Sequence, residues 1–92
     1  MSTVHMNLFG STLTDRADGK KAFQEISEKY PYPITLDFQG VVSLGSSFGE
    51  EVILKVAPLQ NFEITIVNTN SVIKNSVRRI VEETGIKITF ND

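Results

Sequence analysis

The chain has 92 residues, 40% of them hydrophobic, and a formal net charge of −2 at pH 7. This size and composition predict one domain with a single core, and the acidic balance with scattered basic residues argues against a nucleic-acid partner. The absence of Cys excludes disulfides and thiolate metal sites. No apolar run reaches the ~18 residues of a membrane span. The segment MSTVHMNLFG also lacks the basic leader of a signal peptide, so we expect a cytoplasmic protein without a membrane partner.

The first third of the chain predicts a strand and then a helix. TVHMNLF, residues 3–9, alternates with a period near two, which indicates a half-buried strand with Met6 and Leu8 on one face. Residues 10–33 open with turn residues and continue as a helix that Thr14 or Asp15 caps. The prolines near its end stop the helix. Its apolar stripe consists of Ala22, Phe23, Ile26 and Tyr30.

The middle of the chain predicts a buried strand, a helix and a further strand. ITLDF, residues 34–38, is short and mostly apolar, as expected of a strand covered on both faces. A second helix is predicted from Ser47 to Ala57, and FEITIV, Phe62 to Val67, is the next strand. The buried stripe of the second helix consists of Phe48, Val52, Ile53 and Val56.

The last third predicts a helix followed by a strand. Asn70 or Ser71 caps the third helix, and Gly85 is placed to end it. IKITF, residues 86–90, alternates as a last strand. The apolar stripe of the helix consists of Ile73, Val77, Ile80, Val81 and, at its end, Thr84.

This alternation of strands and helices predicts an α/β fold. Strands joined by helical crossovers form a mainly parallel sheet with helices packed against it. We therefore expect a single small domain, residues 1–92, with a four-stranded sheet and three helices in the order βαβαβαβ.

The sequence lacks the usual signatures of an enzyme. His5 is the only histidine and has no evident partner, and the chain contains no HExxH, P-loop or GxGxxG motif. GSSFG does match the G-x-S-x-G nucleophile elbow through Gly45, Ser47 and Gly49. An elbow needs His and acidic partners on a much larger sheet, however. We therefore predict a non-catalytic protein without a cofactor.

Local structure offers an explanation for only one of the two adjacent serines. Ser47-Phe48-Gly49-Glu50 is an S-x-x-E capping box, in which Ser47 and Glu50 each accept a hydrogen bond from the other's backbone N–H. The box assigns no role to Ser46, which leaves that residue as the candidate for function.

The segment around these serines resembles a known family. Asp37-Phe38, Gly40-Val41, Ser46-Ser47-Phe48 and Glu50-Glu51 occur in the order found in the central segment of STAS-like domains, in particular the DUF4325 family. The segment is also similar, more distantly, to the switch of anti-sigma-factor antagonists, in which a partner kinase phosphorylates a helix-capping serine. The order of strands and helices from Gly19 to Phe90 agrees with this resemblance.

The resemblance implies a regulatory module that binds a protein partner, either a histidine-kinase-type ATPase or an anti-sigma-like factor. Ser46 matches the phosphorylated serine and Ser47 is its neighbour, whereas Gly45 stands where antagonists have an aspartate. The complete set of phosphoacceptor and partner-binding residues is then Asp37, Gly45, Ser46, Ser47, Phe48 and Glu50.

Three alternatives remain open at this point. Asp37, Gly40, Ser46 and Asn68 follow strand ends and suit a crevice for a nucleotide or an anion. A phage-encoded inhibitor that uses the fold as a scaffold is a further possibility that the sequence does not exclude. IKITF, with only Lys87 to discourage pairing, also leaves open a homodimer formed by sheet extension.

Overall fold

The computed structural model describes all 92 residues and confirms the predicted α/β class, with three helices and a four-stranded parallel sheet. A 3-10 helix, Met6–Phe9, follows the first strand, and a second one, Ala57–Gln60, follows the second α-helix. In chain order the elements are β1 (Ser2–His5), β2 (Thr12–Leu13), α1 (Arg16–Lys29), β3 (Ile34–Asp37), β4 (Ser43–Leu44), α2 (Ser46–Val56), β5 (Glu63–Val67), α3 (Ser71–Val81) and β6 (Lys87–Phe90).

All three helices lie on one face of the main sheet. Its strands are parallel and run in the order β1-β3-β5-β6, so every crossover leads to the adjacent strand in the same direction. Because such crossovers are right-handed, they place their helices on the same side. Val4, Leu36 and Ile66 lie side by side in the strand register and are fully buried beneath the helices. Among the helices, α2 is central and contacts both α1 and α3.

The opposite face of the sheet carries a row of threonines. The strand register aligns Thr3, Thr35, Thr65 and Thr89 across all four strands, and each of them is partly or fully exposed. The prediction that the strand around Thr35 is covered on both faces is therefore wrong. The second face is not covered because all three helices lie on the other side of the sheet.

The structure also corrects the beginning of the chain. β1 ends at His5, where the chain turns into the 3-10 helix, so the predicted strand over residues 3–9 is too long. Met6 is fully buried whereas Leu8 is 67% exposed, and the two do not share a face. β2 and β4 form a second, two-stranded parallel sheet that was not predicted, because two residues are too few to show a period.

Two of the three helices begin at a predicted capping residue. The Asp15 side chain accepts a hydrogen bond from the Ala17 N–H at 2.9 Å, and the Asn70 side chain accepts one from the Ile73 N–H at 2.8 Å. The end predicted for α3 at Gly85 is wrong, because the helix ends at Val81. There the Thr84 hydroxyl donates to the Val81 carbonyl at 2.6 Å and closes the last turn early.

Gly19 permits a close approach between the backbones of α1 and α2. It is buried in α1, and a Cβ at this position would lie 2.9 Å from the Phe48 carbonyl oxygen and 3.0 Å from the Phe48 Cα. Backbone atoms cannot move aside as a flexible side chain can. Gly49 is the corresponding residue between α2 and α3, but a Cβ there would meet only the end of the Ile80 side chain.

We predict that Gly19→Ala destabilises the fold even though alanine is the better helix former. Alanine gains about 1 kcal/mol in helix propensity, and overpacking of this kind costs about 1–3 kcal/mol or more. Urea unfolding should therefore show a net loss for Gly19→Ala. Gly49→Ala is the matched control, and we expect it to be within about 1 kcal/mol of wild type because the Ile80 side chain can rotate. Equal losses in the two variants would contradict this account of Gly19.

Two consecutive residues before β5 have left-handed backbone conformations. Asn61 has φ 61° and Phe62 has φ 59°. Asparagine tolerates this region, whereas a bulky residue such as phenylalanine is strained there. The strained backbone holds the Phe62 side chain out of the core, and the residue is 52% exposed.

We predict that Phe62→Gly stabilises the folded chain against unfolding. Glycine adopts positive φ without steric cost, so relief of the strain should raise the free energy of unfolding by about 1 kcal/mol. Thermal and urea unfolding at low protein concentration measure this change. Val42→Gly, which shortens another exposed apolar residue, is the control and should not be stabilised.

Candidate functional site

The predicted helix after Leu44 is present, but its N-cap is Gly45 and not the predicted Ser47. The Gly45 N–H donates to the Leu13 carbonyl at 2.8 Å, which keeps the chain in the small sheet up to this residue. The helix then begins at Ser46, with Gly45 as its N-cap and without a side-chain cap. The capping box of Ser47 and Glu50 is therefore wrong. The N-cap is Gly45, two residues before Ser47, so Ser47 already lies within the helix and cannot act as the cap.

The two serines lie in the first turn of α2. Ser46 is exposed and Ser47 is half-buried. Because Gly45 has no side chain to accept from the first N–H groups, this helix keeps its N-terminal donors free, unlike α1 and α3. The positive end of the helix dipole lies at the same place.

An ion-pair network joins the starts of α1 and α2. Arg16 donates to Glu51 at 2.7 Å and to Glu50 at 2.9 Å, and Lys55 donates to the other carboxylate oxygen of Glu51. Hydrogen bonds from Lys55 and then Arg16 lower the pKa of Glu51, although burial opposes the shift. The hydrogen bonds to Glu50 and Glu51 raise the pKa of Arg16. Both glutamates beside the serines are thus neutralised by cations.

Arg16 could not be recognised as part of this network from the sequence, since its glutamate partners lie more than thirty positions away in the chain. Only the pair of Glu51 with Lys55 could have been found, from its i, i+4 spacing. Phe48 was predicted to contact the partner, and this is wrong because the residue is 1% exposed and belongs to the core. Its buried ring anchors α2 in the core and so fixes the position of the two serines that precede it in the first turn.

Asp37 lies in a different part of the candidate site. It is buried, and its carboxylate accepts hydrogen bonds from the Gln39 N–H at 2.9 Å and the Asn68 amide at 3.0 Å. Its second oxygen is 3.3 Å from His5 Nδ1 on the adjacent strand. Burial alone would raise the pKa of Asp37, but these hydrogen bonds together with His5 lower it. The expectation that His5 has no partner is therefore wrong.

The structure does not assemble the catalytic triad that the G-x-S-x-G match would require. Asp37 and His5 alternate with the helix-facing Leu36 and Val4, so their side chains lie on the open face of the sheet. Ser47 lies on the opposite side, in a helix, and no hydrogen bond joins it to His5.

Exposed apolar residues lie at the same edge of the sheet as Ser46. Leu8, Val42 and Val72 follow the carboxyl ends of β1, β3 and β5, and they are 67%, 64% and 52% exposed. The ends of parallel strands meet at one edge, which is also where the connected helices begin. We call Leu8, Val42, Ser46 and Val72 the carboxyl-edge surface. Exposed apolar side chains near polar ones are typical of surfaces that contact other proteins.

Two of the four residues proposed for a small ligand are bonded to each other, because the Asn68 amide donates to Asp37. The polar residues that follow Asn68 are also bonded within the protein, and Asn70 caps α3. Thr69 donates from its N–H and its hydroxyl to Asp92, and these bonds, together with Lys74, lower the pKa of Asp92 to about 2. None of the four clefts of the structure is lined by any of the proposed residues, which are Asp37, Gly40, Ser46 and Asn68.

Comparison of the chain with sequence models of known families, with curated proteins and with solved structures gives no significant match. None of the helices combines the length and the apolar character needed to cross a bilayer. No group of three or more His, Cys, Asp or Glu side chains is arranged to hold a metal ion.

We predict that Asp37→Asn destabilises the fold by about 1–3 kcal/mol, because two part-buried hydrogen bonds, from the Gln39 N–H and the Asn68 amide, lose their ionised acceptor. The lowered pKa of Asp37 means that its contribution is present above about pH 4 and is lost as the pH falls through the folded-state pKa. Urea unfolding between pH 7 and acid should show a smaller pH dependence in this variant. Glu82→Gln, at an exposed carboxylate, is the control and should keep the wild-type profile.

Proposed function

We propose that the chain is a non-catalytic regulatory module that binds a protein partner through its carboxyl-edge surface and is released when Ser46 is phosphorylated. The observation that carries the proposal is the position of Ser46. It is an exposed hydroxyl in the first turn of an uncapped helix, at the edge where three apolar side chains are also exposed.

The local electrostatics favour a phosphate at this position. A phosphoserine adds about −1.5 to −2 charges, which the free N–H groups and the positive end of α2 can accommodate. Glu50 lies one turn further along the helix and would repel a phosphate, but Arg16 already pairs with it at 2.9 Å. The modification can therefore leave the fold intact and change only what the surface presents to a partner.

The class of partner comes from the resemblance to STAS-like domains. It implies a histidine-kinase-type ATPase or an anti-sigma-like factor, which would bind the unmodified surface and phosphorylate Ser46. A surface with exposed apolar groups loses complementarity when a doubly charged group is placed among them, and such a charge change releases a partner.

We predict that Ser46→Asp weakens binding of the partner at least about tenfold, which corresponds to ~1.4 kcal/mol. Immobilised wild-type protein captures the partner from the host, and calorimetry with the purified partner then gives the dissociation constant of each variant. Incubation of the pair with ATP should add one phosphate, which mass spectrometry should locate on Ser46.

Ser27 provides a control outside the carboxyl-edge surface, because it is an exposed serine of α1 whose hydroxyl contacts that of Tyr32. Ser27→Asp therefore introduces the same charge away from the proposed binding surface. We expect it to bind within about threefold of wild type. Equal binding by Ser46→Asp and wild type would refute the switch.

A further inference from the structure

A second apolar surface lies at the opposite end of the molecule, where the strands begin. A cleft of about 450 Å³ is lined by Tyr32, Pro33, Leu59, Gln60 and Asn61, none of which is charged. The strained Phe62 follows Asn61 directly and is 52% exposed, and Leu59 is 53% exposed. We call these six residues the amino-edge surface.

Gln60 makes this surface rigid. Its side-chain oxygen accepts from the Ile34 N–H at 2.9 Å, and its amide donates to the Glu63 carbonyl at 2.7 Å and the Ile34 carbonyl at 3.2 Å. The side chain thereby ties the starts of β3 and β5 together and has no further amide hydrogen to offer a ligand. The cleft therefore keeps its shape and presents mainly apolar groups beside the projecting ring of Phe62.

A projecting group next to a cleft is what a two-fold symmetric contact requires, because each copy must supply both halves. The charged residues beside Phe62 are also self-complementary, because each copy supplies one carboxylate and one cation. Glu63 and Lys87 lie 3.8 Å apart with side chains 57% and 71% exposed. A two-fold axis near them lets Glu63 of each copy face Lys87 of the other, so the charges remain complementary across the contact.

We propose that a second copy of the chain docks on the amino-edge surface, with Phe62 of each copy inserted into the cleft of the other. Insertion buries the two exposed rings among uncharged residues, which matches the depletion of charge at the centre of protein interfaces. It also accounts for the strained backbone at Phe62, since such strain is found where it positions a side chain for binding.

The alternative homodimer, formed by extension of the sheet at β6, is opposed by charge. β6 is an edge strand, as predicted, but Lys74 and Arg78 lie 5.7 Å and 5.3 Å from the ring of Phe90. Lys74 is paired with Asp92 at 3.1 Å, whereas Arg78 has no carboxylate partner, so two copies paired along β6 bring their unpaired Arg78 side chains together. Charged groups at an edge strand are a common protection against such pairing.

Sedimentation velocity across a wide range of concentration tests the proposal. We expect wild type to dimerise, and Phe62→Gly and Leu59→Asp each to raise the dissociation constant of the dimer at least about tenfold. Phe62→Gly is informative because relief of strain should leave its monomer at least as stable as wild type. Glu63→Lys should also weaken the dimer, and the added change Lys87→Glu should restore it, because the charges are then exchanged on both copies.

Two controls separate this contact from others. Val42→Asp introduces a charge at the opposite edge of the sheet and should leave the dissociation constant of the dimer unchanged. Ile88→Pro removes a backbone N–H from the free side of β6, since the neighbouring Lys87 N–H donates towards β5. Loss of the dimer in Ile88→Pro with retention in Phe62→Gly would assign it to the strand edge and overturn the proposal. A wild-type chain that stays monomeric throughout would overturn it as well.

Discussion

The contact between α1 and α2 at Gly19 is the constraint on which the carboxyl edge depends. The absence of a side chain lets the backbone of α1 approach Phe48, and the same contact brings Arg16 to Glu50 and Glu51. The two helices therefore begin side by side, and their positive ends point to the same edge of the sheet. A wider spacing would break both ion pairs of Arg16 and leave Glu50, one turn from Ser46, without a cation, whereas Glu51 would keep its pair with Lys55.

The regular part of the fold could be predicted because its elements are long enough to show a period. The stripes of α1, α2 and α3 and the run of β5 all have this property. The features that were missed depend on contacts between distant residues or on very short elements. β4 has only two residues and pairs with β2. This pairing keeps the chain extended up to Leu44, so that the helix begins after Gly45 and includes both serines. The pair of His5 with Asp37 depends on β1 lying beside β3, which no local pattern records.

The position of Ser46 could be predicted, but the surroundings of the other candidate residues could not. Ser46 is exposed at a helix start, as the sequence suggested, whereas Phe48 is a core residue and Asp37 lies on the other side of the sheet. The large exposed apolar side chains also fall into two groups. Leu8, Val42 and Val72 lie where strands end, and Met1, Leu59 and Phe62 lie where strands begin. Apart from Val72 in the first turn of α3, the three α-helices carry none of them, so the two edges are the places where contacts with other chains are favoured.

The threonine row has a consequence for how this small protein avoids aggregation. A parallel sheet usually needs a layer on each face, and a bare face of valine or isoleucine would stack against the sheet of any neighbour. Threonine keeps the β-branched shape that favours extended backbone, while its hydroxyl retains a shell of water. Four such residues in register therefore let the chain dispense with a second helix layer and still resist face-to-face stacking.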